Sequence, residues 1–446
     1  MHNSYRKYLF LLILLFLSNG AQAILPIQHW QTASGAKVYF VENRGIPMLD
    51  LSIDFTAGAG MDSTQKPGVA SMTNRIMRLG AEGMDEDEIA RKTADIGAGV
   101  SGRFDSDRAG LSMRTLSSRA EREQAMEVFT RILHQPVFPA GAFDREKTRL
   151  ISSIKESDIQ PGTIASRTFN QLIYSGHPYG QRASGDVESV GKMTRDDLVN
   201  FYRRHYVARD AIIAIMGDVS RDEATALAER IAGGLPPSQG AAPALPPVEA
   251  RPQSATRLIP HHASQSHILV GAVAIARDDP DYFPLFVGNY VLGGGGFASR
   301  ISEEVRQKRG LAYSAYSYFS PLAQKGSFVI GMQTRKDQAK EALDVTMKTL
   351  RDYVANGPTT KELDDAKKNL IGGFPLRIDS NRKIHDYLTV IGFYKLPLTY
   401  LDDFVKNIER VTAADIKRAF AARVNPDQLV TVVVGAEEPA PAAAAR

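Results

Sequence analysis

The same helix-to-strand signature occurs twice in this chain, and that repeat constrains its fold more than any other feature. Thr194 opens the first copy in Met193-Thr194-Arg195-Asp196-Asp197-Leu198, and Thr412 opens the second in Val411-Thr412-Ala413-Ala414-Asp415-Ile416. Each Thr reads as a helix N-cap with an Asp three residues on. Each helix leads to an apolar strand closed by glycine, at 212–217 and 430–435, and Thr to Gly spans 23 positions in both copies. A second pair agrees in register: Phe143, Leu150, Ile151 and Ile154 match Leu363, Leu370, Ile371 and Phe374, each set on a charged amphipathic helix. Equal spacing at two places reads as duplication. In each half, amphipathic helices separate groups of strands whose apolar residues alternate, as at 49–55 and 311–319. The pattern predicts an α+β fold of two homologous domains, each a mainly antiparallel sheet covered by helices.

Flanking segments frame these halves. Arg6 and Lys7 precede an apolar run at 8–17, and Ala21-Gln22-Ala23 is a small-x-small site, so residues 1–23 read as a signal peptide cleaved after about Ala23. The run is short for a membrane span, and the mature chain is expected to carry none. Export to the periplasm follows as an expectation. The domains are placed at 24–235 and 257–436, joined by a Pro/Ala-rich linker at 236–256 that reads as extended, with a disordered tail at 437–446. The absence of cysteine excludes disulfides, a thiol nucleophile and thiolate metal ligands. Losing Arg6 and Lys7 lowers the formal net charge from +4 to +2, and no polybasic block points to nucleic acid.

Gly58, Pro67-Gly68-Val69-Ala70, His177-Pro178-Tyr179-Gly180, Leu292-Gly293-Gly294, Ser299-Arg300-Ile301 and Arg309-Gly310-Leu311-Ala312-Tyr313-Ser314 occur in an order that resembles the pitrilysin/insulinase family of zinc metallopeptidases. The resemblance covers nearly the whole mature chain. It is closest to the bacterial short-chain members and to the subunits of the mitochondrial processing peptidase. In active members it implies an inverted zinc motif, His-x-x-Glu-His, on the helix after Pro-Gly-x-Ala, with a third ligand, Glu, about 75 to 80 residues on. Here the five positions read Ser71-Met72-Thr73-Asn74-Arg75, and the third-ligand position, counted back from Asp158-Ile159-Gln160-Pro161, is Ser153. Arg75 is permanently cationic and only donates, so it opposes a metal ion at a ligand position. No His-x-x-Glu-His or His-Glu-x-x-His occurs elsewhere. No metal or other cofactor is expected in this chain. His261, His262 and His267 form a local cluster, read as solvent-facing residues of a strand entry, and His177 as a turn residue.

The family also implies an Arg and a Tyr seven residues apart, presented by the second domain. Arg306 and Tyr313 match that pattern. The segment 299–309 reads as a helix with Ile301 and Val305 inward, ended by Gly310, and Tyr313 opens the following strand. A Tyr hydroxyl can donate to an oxyanion, and an Arg can hold a peptide carbonyl or a carboxylate. A surface Arg and a core aromatic are the alternative for this pair. Gly293 to Gly296 lacks the Lys-Ser/Thr of a phosphate-binding loop.

The resulting expectation is a non-catalytic subunit of a heterodimeric zinc peptidase, inactive alone. A homologous partner carries His-x-x-Glu-His and the zinc, and this chain lines the chamber for a peptide or unfolded-protein substrate and supplies Arg306 and Tyr313. The alternative is a structural or peptide-binding protein of the same fold with no part in proteolysis.

Overall fold

The computed structural model describes residues 26–238, 240, 244–249 and 254–436. The expected signal peptide, the tail at 437–446 and part of the 236–256 linker lie outside the described residues.

The first half runs β1 (Gln28–Gln31), β2 (Lys37–Glu42), β3 (Met48–Phe55), α1 (Val69–Ile76), β4 (Gly80–Ala81), β5 (Met84–Asp85), α2 (Glu86–Asp95), β6 (Gly99–Phe104) and β7 (Ala109–Leu116). It continues with α3 (Arg119–His134), α4 (Ala140–Asp158), α5 (Pro161–Ile173), α6 (Val187–Lys192), α7 (Arg195–His205), β8 (Ile212–Gly217) and α8 (Arg221–Gly233). The second half runs β9 (Ala255–Pro260), β10 (Gln265–Val273), α9 (Tyr282–Asn289), β11 (Ala312–Ser320) and β12 (Ser327–Arg335). It ends with α10 (Ala339–Asn356), α11 (Thr360–Gly372), α12 (Asn381–Phe393), α13 (Tyr400–Arg410), α14 (Ala413–Arg423) and β13 (Val430–Ala436).

The fold is α+β with two domains of the same plan. The first sheet has the order β1-β2-β8-β3-β7-β6, the second β11-β12-β10-β13-β9. Read from β2 and from β9, the two orders coincide. In each, the strand after the repeated helix enters the sheet parallel to one neighbour and antiparallel to the other: β8 between β2 and β3, β13 between β9 and β10. The other pairings are antiparallel. Thr194 and Thr412 both form capping boxes, with Asp197 and Asp415, which satisfy the N-cap and N3 N–H groups at the starts of α7 and α14.

The halves exchange helices. Ile213 and Ile215 of β8 point into the first-half core, while Ile212, Ala214 and Met216 point out of it, against Ile384, Leu388 and Ile391 of α12. That two-sided burial is why β8 is a continuous apolar run instead of an alternating one. Gly392 lets α12 settle closely: a Cβ there would lie 2.6 Å from Ile212 Cγ2 and 2.7 Å from the Tyr39 ring. In return, Ala165, Phe169 and Ile173 of α5 cover Val329, Val430, Val432 and Val434 of the second sheet. Each sheet thus has its own helices on one face and a helix of the other half on the other face.

Polar groups stitch the same junction. The buried Asp107 carboxylate accepts from the hydroxyls of Tyr179 and Tyr394 and from Ala323 N, joining both halves at one side chain. Arg103 bonds Asp54 at 3.1 Å and reaches across to Thr389 at 3.0 Å. The described part of the Pro/Ala-rich stretch is not a free extended linker. Val248 is buried and Leu245 packs against the same apolar cluster as α5, because both offer apolar surface to the inter-half groove. His177 is a turn residue as read: its Nδ1 accepts from Tyr179 N and its other nitrogen bonds Pro246 O at 2.9 Å. His261 differs from a purely solvent-facing residue, since its Nε2 bonds Ile159 O at 3.0 Å while its ring stacks on His262.

Candidate functional site

The helix that would carry a zinc motif is α1, and its mounting is intact. Asp62 is buried and accepts from Gly68 N and Ala70 N, both at 2.7 Å, so it caps the first turn. Burial pushes its carboxyl up to about 7, against those two bonds. Gly68 has φ of +98°, and a Cβ there would lie 2.8 Å from Ser184 O, so only glycine suits the entry to the helix.

The side chains that α1 presents do something other than bind metal. Asn74 is buried, and its amide donates to Gly110 O at 2.8 Å and to the Tyr206 hydroxyl at 3.3 Å. Arg75 extends to α4 and pairs with Glu146, Nε to Oε2 at 2.9 Å. Glu146 is almost fully buried and also meets Arg149 at 2.7 Å and Arg145 at 3.5 Å. Arg78, one turn beyond Asn74, donates to the Asn74 carbonyl at 3.2 Å, and burial followed by the charge of Arg75 holds its guanidinium below the usual range. Ser71 is half-buried and Ser153 is exposed on α4. Positions 71, 74, 75 and 153 thus offer two hydroxyls, an amide committed to the core and a guanidinium paired with Glu146. These residues do not fit zinc, whose protein ligands are imidazole, carboxylate and thiolate. Among the described residues, no group of three His, Cys, Asp or Glu side chains is placed to hold a metal.

Glu146 was not among the sequence candidates. A signal for it existed: it lies seven residues, two helical turns, before Ser153, hence on the same face of α4.

Arg306 and Tyr313 come together at the other end of the molecule's sequence order. After a tight turn at Gly296–Ala298, the helix widens to a π-turn over Ser302–Gln307, with Lys308 N bonded to Glu303 O at 2.9 Å. Ile301 and Val305 face the core. Gly310 ends the segment with φ of +63°. The β11–β12 register shifts between Ala312 and Ser314, so Tyr313 sits at a bulge, a geometry that re-aims a side chain. Tyr313 is 79% exposed and is no core aromatic. The Arg306 guanidinium lies 4.5 Å from the Tyr313 ring centroid and 4.4 Å from that of Phe297, so two rings sandwich it. Phe297 was missed from the sequence, where nothing in its spacing marks it as a partner of Arg306. No hydrogen bond or ion pair links this pair to Ser71, Asn74, Arg75 or Ser153 among the described residues. No described helix is long and apolar enough to cross a membrane.

Two family models match the chain: "Insulinase (Peptidase family M16)" over residues 38–186 and "Peptidase M16 inactive domain" over residues 192–370. Positions 71–75 and 153 fall in the first match, Arg306 and Tyr313 in the second. A solved structure of a peptidase M16 inactive domain from Pseudomonas fluorescens is 36% identical, covers 93% of this chain and 98% of that one, and superposes with a TM-score of 0.89. The non-peptidase homolog YmxG of Helicobacter pylori is 25% identical over 435 residues, spanning 96% of this chain and 98% of that protein. An uncharacterized zinc protease YmxG of Bacillus subtilis is 23% identical over 354 residues, 79% of this chain and 85% of its own.

Proposed function

This chain belongs to the insulinase family of peptidases, M16, and from that premise we propose that it is a non-catalytic subunit that completes the active site of a homologous peptidase. The observation that carries the reading is a contrast inside one molecule. The helix mount at Asp62 and Gly68 is kept while Asn74 and Arg75 are turned to structural work, and Arg306 and Tyr313 line a pocket with no ion pair or side-chain hydrogen bond to another described group. The likeness to a protein named as a non-peptidase homolog supports inactivity of the chain alone.

In this reading the partner is exported with this chain to the periplasm, carries the His-x-x-Glu-His zinc site, and encloses with it a chamber for peptide or unfolded protein. This chain forms part of the wall. Tyr313, whose exposed hydroxyl is bonded to no described group, donates to the carbonyl oxygen as it becomes an oxyanion. Arg306, in contact with the Phe297 and Tyr313 rings, anchors a peptide carbonyl or carboxylate. Preorganisation favours this role, since the guanidinium is fixed before substrate arrives.

The test is steady-state peptide cleavage by the reconstituted pair. Tyr313→Phe leaves assembly intact by size-exclusion chromatography and lowers kcat by about 10²-fold, the scale for losing one oxyanion donor. Arg306→Ala raises KM along with any loss of kcat. Wild-type rates in both assembled variants mean that this chain contributes no catalytic group, and a structural or peptide-binding protein is then the better description.

A further inference from the structure

Around Arg306 the surface forms an open hollow of about 510 Å³. Its walls are aromatic: Phe297 is 64% exposed, Tyr316 41% and Tyr318 42%, and the last two stack at 5.9 Å. Gly293 and Gly294 also line it. The charge in it is unbalanced. On the same helical segment, Glu303 pairs with Lys308 at 3.0 Å and Glu304 with Lys308 at 2.7 Å and Arg309 at 2.6 Å. Both acids are thereby claimed, and among the described residues Arg306 makes no ion pair. No Asp or Glu lines the cavity. A guanidinium held between rings keeps its N–H edge open to a planar anion.

The cavity takes the end of a chain and not a long strand. β11 is the edge of its sheet, but its outer side is closed partway along. Asn289 Nδ2 donates to Ser317 O at 2.9 Å, and Gly293 abuts Ser317 so closely that a Cβ there would overlap its Oγ. An added strand cannot run past that point. A pocket of this size, with apolar walls, a closed flank and one unpaired cation, suits a terminal residue bearing a carboxylate. A chain's amino terminus carries the wrong sign.

We propose that this pocket binds the C-terminal residue of a peptide, with the free α-carboxylate paired to Arg306 and an apolar side chain between Phe297 and Tyr316. The inference rests on the reading that this site meets substrate, and it names the feature of the substrate that is met. The isolated chain holds such a peptide end without cleaving it.

The test uses the purified mature chain alone and acetyl-Ala-Ala-Ala-Leu, as the free acid and as the C-terminal amide, in calorimetric titrations. The acid should bind about tenfold or more tighter than the amide, the scale of one charge-assisted pair. Arg306→Gln should bring the acid down to the affinity of the amide, with the circular dichroism spectrum unchanged. Equal binding of acid and amide by the wild-type chain overturns the proposal, as does acid binding that survives Arg306→Gln. Absence of saturation by the acid in the millimolar range overturns it too. None of these titrations involves the partner, so such a failure leaves the contribution of Tyr313 and Arg306 to the kcat and KM of the assembled pair standing or falling on its own assay.

Discussion

Rebuilding the zinc motif by Ser71→His, Asn74→Glu, Arg75→His and Ser153→Glu should fail, and the structure says where. Ser153 is exposed and Ser71 half-buried, so larger side chains fit at both. Removing Arg75 leaves Glu146 still paired with Arg149 at 2.7 Å and Arg145 at 3.5 Å. The Arg75 side chain is 50% exposed, so its loss costs only about 1 kcal/mol. The obstacle is residue 74. The Asn74 amide donates to the buried Gly110 carbonyl at 2.8 Å. A carboxylate cannot donate, and orphaning that acceptor costs about 1–3 kcal/mol. Carboxylate desolvation adds to this. Tyr206, which accepts from Asn74, can turn its hydroxyl to donate to the new carboxylate and offset part of that cost. The replacement side chain is also one methylene longer in a place where Gly102 already abuts Asn74 Oδ1. The triple variant Ser71→His, Arg75→His, Ser153→Glu, which keeps the native Asn74, should therefore unfold in urea within about 1–2 kcal/mol of wild type, and adding Asn74→Glu should cost roughly 3 kcal/mol more. Neither should hold zinc tightly, because imidazole ligands need partners that orient their second nitrogen, and the acid beside position 75, Glu146, is already engaged by Arg149 and Arg145. Urea titrations with and without zinc measure both quantities. A quadruple variant as stable as wild type without metal, and holding one zinc per chain against a chelator, refutes this reasoning.

Acid should destabilise the fold through two histidines. Burial holds His205 and His385 at about 4, below the ordinary 6.5. Between those values the unfolded chain binds more protons, so the stability they contribute is complete above about pH 6.5 and is lost as pH falls toward 4, on the order of 3 kcal/mol each. Urea midpoints across that range check this, and a His385→Gln variant with an undiminished pH slope contradicts it. Asp107→Ala should lower the thermal midpoint, because it strands the hydroxyls of Tyr179 and Tyr394 and the Ala323 amide at the junction of the halves, a loss of about 3 kcal/mol. An unchanged scanning calorimetry midpoint argues against the junction as described.

Much of the fold is legible in the sequence because its signals are local. Thr194 with Asp197 and Thr412 with Asp415 cap their helices as their spacing predicts, and the duplication they mark reappears as two sheets of one strand order. The exchange of α5 and α12 between halves is not legible, since amphipathicity says that a helix face is buried and not against which sheet. The unbroken apolar run of β8 is the trace of it. At the site, the residue types at 71, 74, 75 and 153 are read directly. Their replacement work is not, because Glu146 and Gly110 meet Arg75 and Asn74 only through tertiary packing. Phe297 reaches Arg306 by a turn and a π-widened helix whose geometry no periodicity announces. Val248, in a stretch whose Pro and Ala content reads as extended, is drawn down by the apolar groove between the halves.

The central claim, that Arg75, Asn74, Ser71 and Ser153 have closed the metal site of this chain, is tested most directly by elemental analysis of the purified chain after dialysis against metal-free buffer containing a small excess of zinc. The account predicts far less than one zinc per chain. About one tightly held zinc per chain contradicts it.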